Sequence, residues 1–197
     1  MKILVTGGLG FIGSHLSETL LSDKHKVIIL TRKLNSKSKI IKQLPKAIIE
    51  KVDVTDFKKL SKIIEKHKPD IIFHLAGETS HKKSFEDPMY DIDVNTKSTL
   101  CILETMRKFV PKCRLILGST FIVVGKPEKL PVDENSKCNP TTIYGNNRLS
   151  SEYLCNIYHN VYGLDTISFR ITNAFGPREQ YLTPTKNALN YLIYQAY

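Results

Sequence analysis

The sequence predicts an α/β fold, a single doubly wound parallel sheet with strand order 3-2-1-4-5-6. Three observations carry that prediction. Short apolar runs of strand length alternate with longer stretches of helical periodicity. The first run, Ile3 to Val5, leads at once into Gly7, Gly10 and Gly13 and then a helical pattern. No internal repeat or low-complexity segment breaks the alternation. A chain of 197 residues is long enough for one domain with a sizeable core.

Composition narrows the classes. At 41% hydrophobic and 24% charged residues, the chain matches an ordinary soluble globular domain. No apolar run reaches the roughly 20 residues that a membrane-spanning helix needs. The first run ends in glycines too early for a secretory signal. Cys101, Cys113, Cys138 and Cys155 form no Cys-x-x-Cys pair, so reduced thiols in a cytoplasmic protein are expected, with no metal site. The formal net charge is +10. It comes mostly from lysines spread along the chain, with local clusters at Lys33 to Lys42 and Lys58 to Lys68. Scattered lysine without interleaved arginine and aromatics argues for a solvated surface and against nucleic-acid binding. A modest positive field would still gather anionic ligands.

In the first turn, each glycine has a physical task. Gly7 permits the tight turn, Gly10 lets an anion approach bare backbone, and Gly13 lets helix pack on strand. The helix carries Ile12, Leu16, Leu20 and Leu21 as its apolar stripe, and its N-terminal amides face the turn. The second strand, Lys26 to Arg32, ends where an adenosine ribose would lie. An acidic residue there would select NAD. Thr31 and Arg32 instead leave room and charge for a 2′-phosphate, so NADP is expected over NAD, with a solvated basic loop as the alternative.

A third strand, Ala47 to Val52, runs into Asp53-Val54-Thr55-Asp56. Thr55 or Asp56 should cap the helix Phe57 to His67, which ends near Pro69. The fourth strand, Asp70 to Gly77, closes on the small residues Ala76 and Gly77, as a close backbone approach requires. His74 within it reads as a packed, hydrogen-bonded strand residue. A long helix, about Thr96 to Phe109, opens after Asn95 with Leu100, Leu103 and Met106 as apolar markers. The fifth strand, Arg114 to Thr120, should deliver reacting groups at its carboxyl end. A helix from about Tyr144 to Tyr162 carries Leu149, Tyr153, Ile157 and Val161 and stops at Gly163. A sixth strand starts at Thr166, and a last helix begins after Pro184 with Leu189, Leu192 and Ile193.

The spacing Gly7-x-x-Gly10-x-x-Gly13 after Thr6 resembles the short-chain dehydrogenase/reductase superfamily. Gly10-Phe11-Ile12-Gly13-Ser14-His15-Leu16 resembles its extended branch, the nucleotide-sugar epimerases and dehydratases. Three later stretches resemble that branch as well: His74-Leu75-Ala76-Gly77, Tyr144-Gly145-Asn146-Asn147-Arg148, and Arg170 to Arg178 with its Asn173 and Gly176-Pro177. The resemblance implies a Rossmann-like domain over residues 1–180 and the start of a substrate lobe at 181–197, about two-thirds of a family member. It implies cofactor contacts from Gly7, Gly10, Phe11, Ile12, Gly13, Thr31, Arg32, Asp53, Val54, Leu75, Ala76, Gly77, Asn95, Tyr144 and Arg148. Asp53 would bond the adenine amino group while Val54 packs on the ring. Substrate contacts would come from Ser80, Thr120, Asn173 and Arg178.

The catalytic set implied is Thr120, Tyr144 and Arg148. A free tyrosine has a pKa of about 10 and needs a cation to act as a base near neutrality. The family places a lysine four residues on, one helical turn away, whereas this chain has Arg148. Arginine keeps charge and donors but cannot give up its proton. The 4,6-dehydratases follow the Thr120 position with Asp-Glu; here Phe121 and Ile122 stand there, which disfavours dehydration. The expectation is a nucleotide-sugar epimerase-type oxidoreductase acting by transient sugar oxidation through hydride transfer to NADP or NAD. Its alternatives are an NADPH-dependent carbonyl reductase and a non-catalytic dinucleotide-binding regulator. The partner expected is a nucleotide-diphosphate sugar, with a homodimer formed through the two long helices by analogy to the family.

Overall fold

The structure is a computed structural model and describes residues 1–34, 39–179 and 188–196. Six parallel strands form one sheet, ordered β3-β2-β1-β4-β5-β6. They are β1 (Lys2–Thr6), β2 (Lys26–Thr31), β3 (Ile48–Lys51), β4 (Ile71–His74), β5 (Arg114–Thr120) and β6 (Asp165–Ile171). The helices are α1 (Phe11–Ser22), α2 (Lys39–Gln43), α3 (Phe57–His67), α4 (His81–Glu86), α5 (Pro88–Ile92), α6 (Ser98–Phe109), α7 (Ile143–Tyr162) and α8 (Ala188–Ala196). The expected strand order and parallel, doubly wound architecture are therefore present.

Alternation along the strands sends neighbouring residues to opposite faces. Ile3, Val5, Val27 and Ile29 pack with Leu16, Leu20 and Leu21 of α1. Leu4, Ile28, Ile72 and Leu115 build the other layer with α3, α6 and the Cys155–Tyr158 side of α7. Burial on both faces is why the inner strands read as continuous apolar runs.

Several boundaries differ from the sequence reading. β2 stops at Thr31, β3 spans only Ile48–Lys51, and β4 ends at His74. Ala76 and Gly77 lie beyond β4 in a backbone stretch shaped by close approach. Ile12 is 38% exposed and leaves the apolar stripe of α1. The helix expected after Asn95 begins earlier: Asp87 caps α5, accepting from the Tyr90 N–H at 3.0 Å, and Pro88 takes the first helical position. The chain then passes through a π-helical turn, Asp93–Lys97, into α6. Tyr153, Ile157 and Val161 keep helical spacing on α7 but are exposed, so that periodicity marks an outer face and not the core. Of the two capping candidates, Asp56 takes the Lys59 N–H, while Thr55 bonds back to Asp53. Gly163 ends α7 in the left-handed region at φ +69°. In the 181–197 segment the structure describes α8; residues 181–187 and Tyr197 lie outside the described residues.

Candidate active site

At the first turn, Gly7 takes φ +69°, and a Cβ there would press on the Ala76 backbone nitrogen at 3.0 Å. A Cβ on Gly13 would overlap the Gly7 carbonyl and the Gly8 Cα. These two glycines are thus spent on packing. Gly10 is different: its nearest obstacle is one carbonyl oxygen at 3.1 Å, and it caps α1 with no side chain. The amides of Phe11, Ile12 and Gly13 sit in that uncapped first turn, an arrangement that suits an anion.

Beyond the turn lies a cavity of about 170 Å³ whose lining includes Gly7, Thr31, Arg32, Asp53, Val54, Ala76, Gly77 and Tyr90. Another hollow, at Asp70, Val110 and Cys113, lies at the amino ends of β4 and β5, away from these groups. Thr31 turns its hydroxyl onto the Lys33 carbonyl. The Arg32 Nε stands 3.9 Å from Asp53, and its Nη1 donates to the Tyr90 hydroxyl. Asp53 is fixed in turn by the Thr55 N–H and hydroxyl, at 3.0 and 2.8 Å. Tyr90 was not singled out from sequence; it reaches this cavity from α5, where its hydroxyl meets Arg32 just beyond β2.

The floor is pinned by a buried relay. The Ala76 N–H donates to Thr6 Oγ1 at 3.0 Å, and that hydroxyl donates to His74 Nδ1 at 2.8 Å. His74 Nε2 donates to Ser98 Oγ at 2.9 Å, and Ser98 donates to the Val94 carbonyl. Each hydroxyl can play both parts only if His74 is the neutral Nε2–H tautomer. Burial pushes the His74 pKa down to about 3, helped by the nearby Arg148 charge. Leu75 packs on the α1 side of the sheet.

The catalytic candidates lie at the end of β5 and the start of α7, with Arg148 against Gly77 of the cavity lining. Thr120 ends β5 and accepts from the Ile122 N–H at 3.3 Å. The turn that follows, Phe121–Val124, packs against the start of α7: Val123 and Val124 cluster with Leu149, and Gly145 has room for no Cβ nearer than 3.1 Å to Ile122. This packing brings the first turn of α7, with Tyr144, to the end of β5. Thr142 caps α7 by accepting from the Gly145 N–H at 3.0 Å. Tyr144 is 6% exposed. The Arg148 guanidinium lies 5.8 Å from its ring centroid, and the His81 ring stacks at 5.7 Å and 27°.

Arg148 is 2% exposed, yet its Nε and Nη1 have no partner. Asn95 is fully buried on the π-helical turn; its Nδ2 donates to the Glu78 carbonyl at 3.1 Å, while its Oδ1 has no partner. Both flank Gly77. A buried cation with bare donors is costly unless something completes it. A ribose offers hydroxyl acceptors for those donors, so the residues fit a nicotinamide dinucleotide laid from Arg32 to Arg148.

Other site candidates fall elsewhere. The Ser80 side chain caps α4 through the Lys83 N–H at 3.3 Å and is mostly buried. Asn173 is exposed after β6. Arg178 turns to α1, its Nη2 donating to Glu18 at 2.7 Å. A second network behind Thr120 carried no sequence signal for its role. Ser119 donates to Glu152 at 2.5 Å, Arg170 pairs with Glu152 at 2.8 Å, and Arg170 Nη1 reaches the Glu134 carbonyl. No group of three or more potential metal ligands occurs among the described residues.

The family model described as NAD dependent epimerase/dehydratase family matches residues 3–197. The chain belongs to that family. A putative UDP-glucose 4-epimerase of Methanocaldococcus jannaschii is 36% identical over 177 residues, covering 90% of this chain and 57% of that protein. The UDP-glucose 4-epimerase of Thermotoga maritima, solved with UDP-glucose, superposes with a TM-score of 0.88 at 30% identity, covering 97% of this chain and 61% of that one. The Thermus thermophilus UDP-glucose 4-epimerase, in complex with NAD, gives 0.85 at 31% identity, covering 100% and 61%. This family chain thus spans about three-fifths of the length of these relatives. No helix among its described residues is long and apolar enough to cross a membrane.

Proposed function

We propose that the chain binds a nicotinamide dinucleotide and serves nucleotide-sugar epimerisation by transient oxidation of a sugar carbon. The observation that carries this reading is the buried, half-unpartnered Arg148 beside Tyr144, where the ribose and the reacting sugar would meet. When bound, the dinucleotide supplies the acceptor and later the donor of hydride. Tyr144 takes the proton from a sugar hydroxyl and gives it back, with the Arg148 guanidinium beside its ring. Thr120 Oγ1 holds the same sugar oxygen. Arg148 and Asn95 place the ribose, and the uncapped start of α1 takes the pyrophosphate. Asn173 would reach the substrate diphosphate from the loop after β6.

The relatives support a UDP-hexose as the first substrate to try, and the four free cysteines accord with a cytoplasmic setting. Thr31 and Arg32 favour NADP, while the relative solved with NAD keeps NAD in the comparison. Leu100 and Phe109 on α6, with Tyr153, Ile157 and Val161 on α7, form an exposed apolar face that suits a homodimer.

The test is incubation of the chain with UDP-glucose or UDP-galactose and either dinucleotide. Interconversion of the two sugars without net change in dinucleotide supports the reading. Net NADPH consumption with a ketone would point to a reductase. Binding without turnover would point to a regulator, the alternative suggested by arginine in place of lysine at position 148.

A further inference from the structure

The segment after β6 is tied back to α1. β6 is an edge strand and ends at Ile171, in register with Thr120 of β5. A few residues later, Arg178 Nη2 donates to Glu18 at 2.7 Å, and His15 Nε2 donates to the Pro177 carbonyl at 2.9 Å. Both partners lie on α1, which follows β1. Between β6 and β1 stand β5 and β4. Residues 172–178 thus leave the carboxyl end of β6 and reach α1 past those two strands. Three strand spacings come to about 14 Å. An extended run of those seven residues reaches at most about 25 Å, enough to span that distance.

The segment starts beside Thr120, on the side of the sheet away from Arg32 and Asp53 at the ends of β2 and β3. Its anchorage is built. Arg178 holds φ +71°, a conformation that a residue with a side chain adopts only where its surroundings impose it. Its side chain is 16% exposed. His15 meets Phe11, the first residue of α1, edge-on at 5.9 Å between ring centroids. The His15 fastening thus lies next to the first turn of α1, and the Glu18 fastening one turn further along it.

We propose that Arg178 and Glu18 form a latch that holds residues 172–178 as a strap across the bound dinucleotide and slows its release. Arg178 is then a positioning residue for cofactor retention, with Glu18 as its anchor, and not a group that touches substrate. The proposal rests on the dinucleotide-binding reading.

Release of NADH or NADPH from the chain tests it, followed by loss of nicotinamide fluorescence after a chase with excess oxidised dinucleotide. Arg178→Ala and Glu18→Gln should each release roughly three- to tenfold faster, with the association rate little changed, as expected for a partly exposed ion pair. The exchanged pair, Glu18→Arg with Arg178→Glu, should recover slow release, which a general loss of stability would not allow. If the parent chain holds the dinucleotide and these variants release it at the parent rate, the latch is overturned while the binding reading stands. If the parent chain binds neither dinucleotide, both fall.

Discussion

Arg148 lies directly against Gly77, and a Cβ at position 77 would overlap its Nη2 and come within 2.7 Å of Asn95 Oδ1. A glycine beyond β4 and an arginine on α7 thus share one volume. Gly77→Ala should push the guanidinium out of the crevice. The expected result is about a tenfold loss of dinucleotide affinity, together with a stability cost of about 1–3 kcal/mol from overpacking. Equilibrium binding and urea denaturation measure the two. Unchanged affinity would mean that the bare guanidinium is not a ligand group.

Arg148 itself sets stability against binding. Its buried charge has two unpartnered nitrogens. Arg148→Met should therefore raise the stability of the free chain, by about 1–3 kcal/mol, while abolishing the tightest part of dinucleotide binding. Arg148→Lys should keep binding and raise turnover with a nucleotide sugar, because a lysine can pass a proton where arginine cannot. Thermal melts with and without dinucleotide decide the first outcome. A less stable Arg148→Met chain would show that the guanidinium is structurally satisfied.

Much of this arrangement was legible in the chain itself, for reasons that can be named. β1, the glycine turn and α1 are contiguous, so their geometry follows from local rules. Thr120 and Tyr144 lie at a strand end and a helix start, positions that apolar periodicity locates well. What escaped depends on contacts remote in sequence. Tyr90 meets Arg32 across 58 positions, and Arg178 meets Glu18 across 160. The π-helical turn at Asn95 was hidden because its residues keep helical polarity while one extra residue slips into the backbone. Ser80 read as a substrate contact, and only the fold shows its oxygen occupied by the Lys83 amide.

Arg32 links the cofactor question to that hidden partner. Its guanidinium is shared between Asp53 and Tyr90. Holding a 2′-phosphate requires it to leave Asp53, so Tyr90→Phe should loosen Arg32 and improve NADP binding relative to NAD. Arg32→Ala should weaken NADP by about 1–2 kcal/mol more than NAD, the worth of a charge-assisted contact. Parallel titrations with both dinucleotides check this. Equal losses would show that Arg32 does not read the phosphate.

His74 makes acid sensitivity a property of the cavity floor. Its folded pKa is pushed down to about 3, by burial first and then by Arg148, against an ordinary value of about 6.5. Below pH 6.5 the unfolded chain takes up a proton that the folded chain refuses. Stability therefore falls as pH drops from about 6.5 towards 3, by up to about 1.4 kcal/mol per pH unit. The Glu104 carboxyl, lowered to about 2 by Arg107, Tyr158 and Lys108, acts in the same direction but only below its ordinary value of 4.5. Between pH 6.5 and 4.5 the slope should belong mainly to His74. His74→Asn should be less stable at pH 7 by about 1–2 kcal/mol, since the bonds to Thr6 and Ser98 are disturbed. That deficit should shrink as pH falls, because asparagine does not titrate. Urea denaturation of both chains at pH 7, 6 and 5 gives the comparison. Parallel pH curves for the two would mean that His74 is protonated inside the fold, and that the single tautomer linking Ala76 to the π-helical turn is not maintained.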